Sequence, residues 1–362
     1  MNEENKTMEK TDIKSLRLEE VQAWMQSHGE PAYRAKQLYE WMHIKGVTEF
    51  AQMHNLSKSL REKLEAECAL TVLRQVEVQI SKIDGTRKYL FALPDGNIIE
   101  SVWMKYQHGN SVCVSSQAGC RMGCRFCAST IDGLARNLTP AEMLEQIYRI
   151  QADTGERVSN VVIMGSGEPL DNYENVVQFL RMISDENGLH ISERNLTLST
   201  CGLVPNMYRL AEEGLHVTMA LSLHAPNDKM RQELMPVANK YHLEEVIGAC
   251  KYYFQKTGRR ITFEYSLVSG VNDSNQAAKE LAKLVQGLNC HINLIPVNAI
   301  KERNFVQSEK KRIQAFQKLL ENNQINVTIR REMGRDINGA CGQLRKRYLE
   351  EAGEQGNMHG SV

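Results

Sequence analysis

The stretch Ser111-Val-Cys113-Val-Ser115-Ser-Gln-Ala-Gly-Cys120-Arg-Met-Gly-Cys124-Arg-Phe-Cys127 decides how the rest of the chain is read. Residues 112–115 are a short β-branched run, which predicts a strand. The Gly-containing segment behind it shows neither helical nor strand periodicity, so it is read as a loop. Three cysteines spaced x3 and x2 in such a loop suit three corners of a cubane 4Fe–4S cluster. The fourth iron then has no cysteine and is open to a small molecule. Structural zinc competes, but it wants four ligands, commonly in two short motifs, and no second motif lies nearby. The bland alternative is three cysteines brought together by chance or in a core.

Working outward, short β-branched runs at residues 160–164, 195–199, 217–222, 261–267, 291–295 and 325–329 alternate with amphipathic helical patterns at 140–151, 173–183, 243–255, 276–286 and 309–320. That alternation implies parallel strands with right-handed crossovers: an α/β fold, either a doubly wound sheet or a full or partial barrel, with its chemistry at the carboxyl ends of the strands. Upstream, residues 72–104 alternate around Asp84-Gly85 and Asp95-Gly96, which predicts a small antiparallel sheet. Before that, apolar residues recur at helical spacing (Leu16, Val21, Trp24, Met25; Ala35, Leu38, Trp41, Met42; Leu60, Leu64), predicting three or four short helices. The chain thus divides into a helical accessory domain (1–70), a small β subdomain (71–104), an α/β core (105–347) and a frayed tail (348–362).

The 362 residues carry 44 basic and 44 acidic side chains, a formal charge of zero, and 42% of them are hydrophobic. This composition excludes a disordered or collagen-like chain, and neutrality argues against a strongly cationic nucleic-acid binder. Residues 1–14 lack the apolar centre of a signal peptide, and no run approaches the ~18 apolar residues of a membrane span, so a cytoplasmic protein without a membrane partner is expected. Nine cysteines then need roles other than lasting disulfides. Cys68, Cys250 and Cys290 fall in helix and strand patterns and are read as core residues. Position also qualifies the neutrality: residues 301–347 hold 12 Lys and Arg against 5 Asp and Glu. Part of that excess, Lys310-Lys311-Arg312, is explained by a solvated helix face. The rest, Arg330, Arg331, Arg335, Arg345, Lys346 and Arg347, flanks Cys341. Such neighbours lower a thiol's pKa and place positive charge where an RNA backbone would meet it.

The cysteine loop matches the cluster signature of the radical S-adenosylmethionine (SAM) enzymes, and the resemblance implies a partial (β/α)6 barrel. It also implies a 4Fe–4S cluster on Cys120, Cys124 and Cys127, whose open iron is chelated by SAM. Met164-Gly-Ser-Gly-Glu-Pro169 resembles the Gly-Glu-Pro segment of these enzymes, so Gly167 and Glu168 are expected at the SAM amino group. Ser199, Ser222, Leu223, His224 and Asn298, at or just beyond strand ends, are expected to line the same rim for the rest of SAM.

From about Pro31 to Arg347 the chain also resembles the RNA adenine-C2 methyltransferases acting on 23S rRNA and tRNA. The resemblance rests on Asn110-Ser-Val-Cys113, Ser222-Leu-His-Ala-Pro-Asn227, Leu234-Met-Pro236, Gly270-Val-Asn-Asp273, Asn293-Leu-Ile-Pro296 and Ala340-Cys-Gly-Gln-Leu344. It implies that a first SAM methylates Cys341 and that a second is cleaved reductively to a 5′-deoxyadenosyl radical. The radical takes a hydrogen atom from the methylthioether, and the carbon then adds to C2, which is too electron-poor for ordinary electrophilic methylation. It further implies that Glu100 accepts the C2 proton and that Cys113 resolves the protein–RNA link through a transient disulfide with Cys341. Taken alone, Glu100 in an alternating strand reads as part of a solvated face. An RNA-engaging helical domain around Tyr33-Arg-Ala-Lys36, a reducing donor such as flavodoxin or ferredoxin, and a monomeric enzyme complete the expectation. Ser166, Cys201 and Asn338-Gly339 depart from the commoner pattern and bear on substrate positioning. Two other readings stand beside this one: the sister family that methylates C8 of the same rRNA adenine, which shares both thiols, and a non-catalytic iron–sulfur or zinc protein that binds RNA.

Overall fold

The computed structural model describes residues 10–107, 109–297, 305–337, 344–345 and 347–349. Ten strands form one sheet in the order in which the chain makes them: β1 (Arg74–Ile80), β2 (Arg87–Ala92), β3 (Ile98–Tyr106), β4 (Gly109–Val114), β5 (Asn160–Ile163), β6 (Leu196–Thr200), β7 (Thr218–Ser222), β8 (Ile261–Leu267), β9 (Cys290–Pro296) and β10 (Val327–Ile329). Neighbours from β1 to β4 are antiparallel, and those from β4 to β10 are parallel. Because the strand order never reverses, right-handed crossovers put every connecting helix on the same face. This is the winding of a barrel, not of a doubly wound sheet, and β10 is left as an edge. The fold is therefore the expected partial barrel. The antiparallel strands are a continuation of its sheet, since β3 pairs with β4 from Val102↔Cys113 to Tyr106↔Gly109.

Three helices precede the sheet: α1 (Leu18–Ser27), α2 (Tyr33–His43) and α3 (Lys58–Glu67). The helical spacing works as read, for Val21, Met25, Ala35, Leu38, Met42, Leu60 and Leu64 form their own buried cluster. Ser57 caps α3 by accepting the Leu60 N–H at 3.2 Å. The unit is tied to the barrel by a fully buried ion pair, Lys14 with Glu145 at 2.5 Å.

The barrel helices are α4 (Pro140–Thr154), α5 (Tyr173–Ser184), α6 (Val204–Glu212), α7 (Asp228–Leu234), α8 (Leu243–Thr257), α9 (Asn275–Leu284) and α10 (Lys310–Asn322). α4 shows why such segments begin and end where they do. Thr139 and Glu142 make a capping box, Pro140 fills the first turn, and Gly155 stops the helix at φ 66°. α6 and α7 escaped the periodicity reading because they are only 9 and 7 residues long. Alternate strand residues, such as Val112, Val114, Leu196 and Leu198, pack into the main core with the helices. Their neighbours face the barrel interior. No helix among the described residues is long and apolar enough to cross a membrane.

Candidate functional site

A cavity of about 280 Å³ opens at the carboxyl ends of the parallel strands, and the three loop cysteines border it. Cys120 and Cys124 are buried, and Cys127 is half-buried. The loop is held by its own backbone: Cys120 N–H donates to Gly133 O at 2.8 Å, and Cys127 N–H to Cys124 O at 3.2 Å. Thr130 Oγ1 caps the carbonyls of Cys124 and Cys127 at 3.1 and 3.0 Å. Gly119 has φ +83°, and a Cβ there would lie 2.1 Å from Gly133 O, so no other residue lets the strand pass into this loop. Burial pushes the Cys120 thiol up to about 12; the Met122 N–H opposes the rise and Cys127 adds to it. Cys124 moves the same way, through burial first and its two neighbouring thiols next.

Among the described residues, no three His, Cys, Asp or Glu side chains are arranged to hold a single metal ion. The thiols surround a volume instead of converging on a point. Three soft sulfurs bordering one cavity fit a multi-iron cluster, whose positive core would draw them to the thiolate form that burial alone disfavours.

The Gly-Ser-Gly-Glu-Pro turn follows β5 and closes the next wall. Added Cβ atoms would lie 2.7 Å from Ser115 Oγ at Gly165 and 2.7 Å from Gln117 Cβ at Gly167, which has φ +111°. The glycines let the turn lie on the exit from β4, where Ser166 O accepts the N–H groups of Ser116 and Gln117 at 2.9 and 3.1 Å. Ser166 N–H in turn donates to Ser115 Oγ at 3.0 Å. Glu168 is buried and lines the cavity. Its carboxylate accepts Thr200 Oγ1 at 2.7 Å, Cys201 N–H at 2.7 Å and Leu170 N–H at 3.1 Å. Burial raises its pKa against those donors. The Cys201 thiol is a fourth, weak donor to the same carboxylate, and a cationic amine would compete for its place.

Ser199, Ser222 and His224 also line the cavity, while Leu223 does not. Leu223 is fully buried, and its N–H donates to Glu264 O at 3.0 Å. His224 takes a left-handed φ of 53°. Its Nδ1 accepts the Ser266 N–H at 2.9 Å, which places the ring proton on Nε2. Burial lowers its pKa to about 3, so the ring is neutral. The turn is braced by Asn272 of the Gly270–Asp273 motif, whose Nδ2 donates to His224 O and Ser266 O, both at 2.7 Å. Glu264, which sequence reasoning missed, faces the same cavity, with its pKa raised by burial. A carboxylate inside an apolar strand was the available signal.

Glu100 and Cys113 are brought together by sheet register. Antiparallel partners share a face, and the pairs Leu90↔Glu100, Lys88↔Val102 and Val102↔Cys113 therefore put Lys88, Glu100 and Cys113 on one side. Glu100 does not lie on a solvated face. It is 2% exposed, 3.2 Å from the fully buried Lys88 ammonium, and accepts the Arg345 N–H at 2.6 Å. The alternation was read correctly, but it cannot show what covers a face. Cys113 is half-buried, its pKa raised by burial against Arg330, the Met164 N–H and Lys88.

Cys341 and Asn298 lie outside the described residues. The described neighbours of Cys341 on both sides dock on the antiparallel strands. Gly334 N–H donates to Asp84 at 3.0 Å, Asp336 accepts Lys82 N–H at 2.7 Å, and Leu344 is buried with Leu90, Ala92 and Ile98. Arginines expected to offer free positive charge here are partly spent on carboxylates: Arg335 on Glu332, Arg345 on Asp132 and Arg347 on Glu77. The eight described cysteines are free thiols; Cys68, Cys250 and Cys290 are buried as read, and Cys201 borders the cavity.

Two family models match: Radical SAM superfamily over residues 114–282, and Ribosomal RNA large subunit methyltransferase N-terminal domain over residues 11–70. A probable dual-specificity RNA methyltransferase RlmN of Lachnoclostridium phytofermentans is 62% identical over 343 residues, covering 95% of this chain and 96% of its own. Its counterpart in Lachnospira eligens is 60% identical over 344 residues, covering 95% and 98%. Among solved structures, a radical SAM methyltransferase from Sphaerobacter thermophilus superposes with TM-score 0.88 at 42% identity, covering 92% of this chain and 98% of that one. Together with the geometry of the cavity, these likenesses establish that the chain belongs to the RlmN family of radical-SAM RNA methyltransferases.

Proposed function

We propose that the protein methylates C2 of adenine in 23S rRNA and in tRNA through a methyl group carried on Cys341. The observation that carries this reading is the shared face of Lys88, Glu100 and Cys113, with Arg345, four positions beyond Cys341, hydrogen-bonded to Glu100. A base and a second thiol on one face are what a methylene transfer with a covalent intermediate requires beside its carrier thiol.

Cys120, Cys124 and Cys127 would hold the cluster, and Gly167, Glu168, Ser199, Ser222, Leu223, His224 and Asn298 would hold SAM. Bound there, cluster and SAM supply a one-electron cleavage that yields the 5′-deoxyadenosyl radical; two SAM molecules are used per turnover, one of them to methylate Cys341. Within the chain, Cys341 would deliver the carbon to C2 as a radical, Glu100 would accept the C2 proton, and the one electron left on the adduct would pass back to the oxidised cluster, leaving a closed-shell thioether. Cys113 then attacks the Cys341 sulfur: an S–S bond forms, the S–C bond breaks with its electron pair going to carbon, and protonation leaves the methyl group on adenine. External thiols return the disulfide to two thiols. The enzyme works in the cytoplasm as a monomer, reduced by a flavodoxin- or ferredoxin-type donor.

Nucleoside mass spectrometry of rRNA and tRNA, with and without the gene, tests the reading. Loss of 2-methyladenine from both RNAs is expected. Appearance of 8-methyladenine in place of 2-methyladenine would assign the protein to the sister chemistry.

A further inference from the structure

Among the described residues, Arg231 is the largest side chain with essentially no solvent exposure. It projects from α7 behind the cavity wall and is not among the residues that line the cavity. Its Nη2 donates to Cys201 O at 2.6 Å and to Ser222 O at 3.4 Å, while Nε and Nη1 have no hydrogen-bond partner among the described residues. Asp228, on the same helix, acts on it only through space; that carboxylate accepts the Leu243 N–H at 2.8 Å instead. An arginine stays protonated even here. A buried cation without a paired carboxylate is costly, so its retention calls for a counter-charge. The guanidinium holds the carbonyl of Cys201, and Cys201 shares a buried cluster with Cys124 of the cysteine loop. Cys124 packs with Cys201, Leu234 and Met235, and the cluster loop is fastened to the end of α7 by Arg125 N–H on Leu234 O at 2.9 Å.

We propose that Arg231 is a positioning residue for electron transfer: a fixed positive charge behind Cys124 that favours the reduced state of the cluster. The inference rests on the reading that Cys120, Cys124 and Cys127 hold a 4Fe–4S centre. Their thiolates leave the centre net negative, and reduction adds one further negative charge. A desolvated cation at close range stabilises the reduced form more than the oxidised one, because low-dielectric surroundings screen it little. It therefore raises the reduction potential without touching SAM or RNA.

The test uses full-length protein reconstituted anaerobically with iron and sulfide. Iron and sulfide content and the EPR signal of the reduced centre are read first in the wild type; if no 4Fe–4S centre forms, the cysteine reading itself fails. On loaded protein, EPR-monitored redox titration compares Arg231→Gln, which keeps a donor for Cys201 O, with Arg231→Met and Arg231→Lys. Both neutral variants are expected to lower the reduced-to-oxidised ratio at fixed potential about tenfold, a shift of about 59 mV for one electron, while the lysine variant stays within about twofold of wild type. An unchanged potential in either neutral variant that folds overturns the proposal. So does a lysine variant shifted as far as the glutamine variant, or failure of both neutral variants to fold, since the side chain then serves architecture and not charge.

Discussion

The loops that follow β4 and β5 hold their functional side chains through their own backbone, whereas the strands β1 to β3 hold theirs through a segment that comes from the far end of the chain. In the first region, the carbonyls of Gly133 and Cys124 accept the N–H groups of Cys120 and Cys127, and the Cys201 N–H donates to Glu168, all from the barrel's own strand-end loops. In the second, Glu100 depends on Arg345, and the β1–β2 turn on Gly334 and Asp336. A preformed rim suits a cofactor that must be held in one pose. The carrier proposed at Cys341, which would meet SAM, RNA and a second thiol in turn, is better served by anchors on either side of it.

The sharpest way to break this comparison is to remove the two thiols of the proposed chemistry. Cys341→Ala is expected to abolish methylation and to form no RNA adduct. Cys113→Ala is expected to abolish release and to accumulate a protein–RNA adduct visible as a shifted band on denaturing gels. Normal methyl transfer by Cys341→Ala would remove the carrier from the mechanism.

Next in size is the buried pair under the anchor. Lys88→Met leaves Glu100 buried without that counter-charge, which costs about 3–5 kcal/mol in chemical denaturation. Lys88→Met with Glu100→Gln removes both charges and is expected to recover most of that stability while leaving methylation impaired. If the double variant regained full activity, Glu100 would belong to the scaffold alone.

A smaller effect is expected on the rim. Gly167→Ala forces a side chain into a φ of +111° and against Gln117, at a cost of about 1–3 kcal/mol. Iron content should be preserved and SAM affinity reduced, because the strained turn carries Glu168 and no cysteine. Equal loss of both would show that cluster loop and turn form one unit.

The same contrast explains how much could be read from the chain. The rim was legible because its constraints lie within short motifs: the cysteine spacing, the glycines at 165 and 167, and Ser222-Leu-His224 at a strand end. The partial barrel was legible from alternating periodicities, although α6 and α7 were too short to register. Glu100 showed its strand but not its burial. A period of two says which residues share a face, and the cover over this face, Leu344 packed on Leu90, Ala92 and Ile98, is a residue from more than two hundred positions away. Local patterns carry no signal for such a contact. The carboxylate partners of Arg345 and Arg347, Asp132 and Glu77, are equally remote, whereas Arg335 pairs with the local Glu332.

The smallest expected effect concerns the anchor at the β1–β2 turn. Burial alone would raise the Asp84 carboxyl, but the Gly334 N–H and the Thr86 donors outweigh it and bring the pKa down to about 2. A depressed carboxylate contributes stability above its unfolded pKa and loses it as pH falls through the folded value. The Gly334 contact should therefore persist at pH 4 and weaken only as pH approaches about 2. Asp84→Asn should loosen it at every pH. Amide hydrogen exchange at Gly334 and Lys82 reads the difference: protection that tracks the Asp84 titration supports a separately anchored carboxyl-terminal segment, and protection lost only with global unfolding means the segment is part of the barrel's cooperative unit.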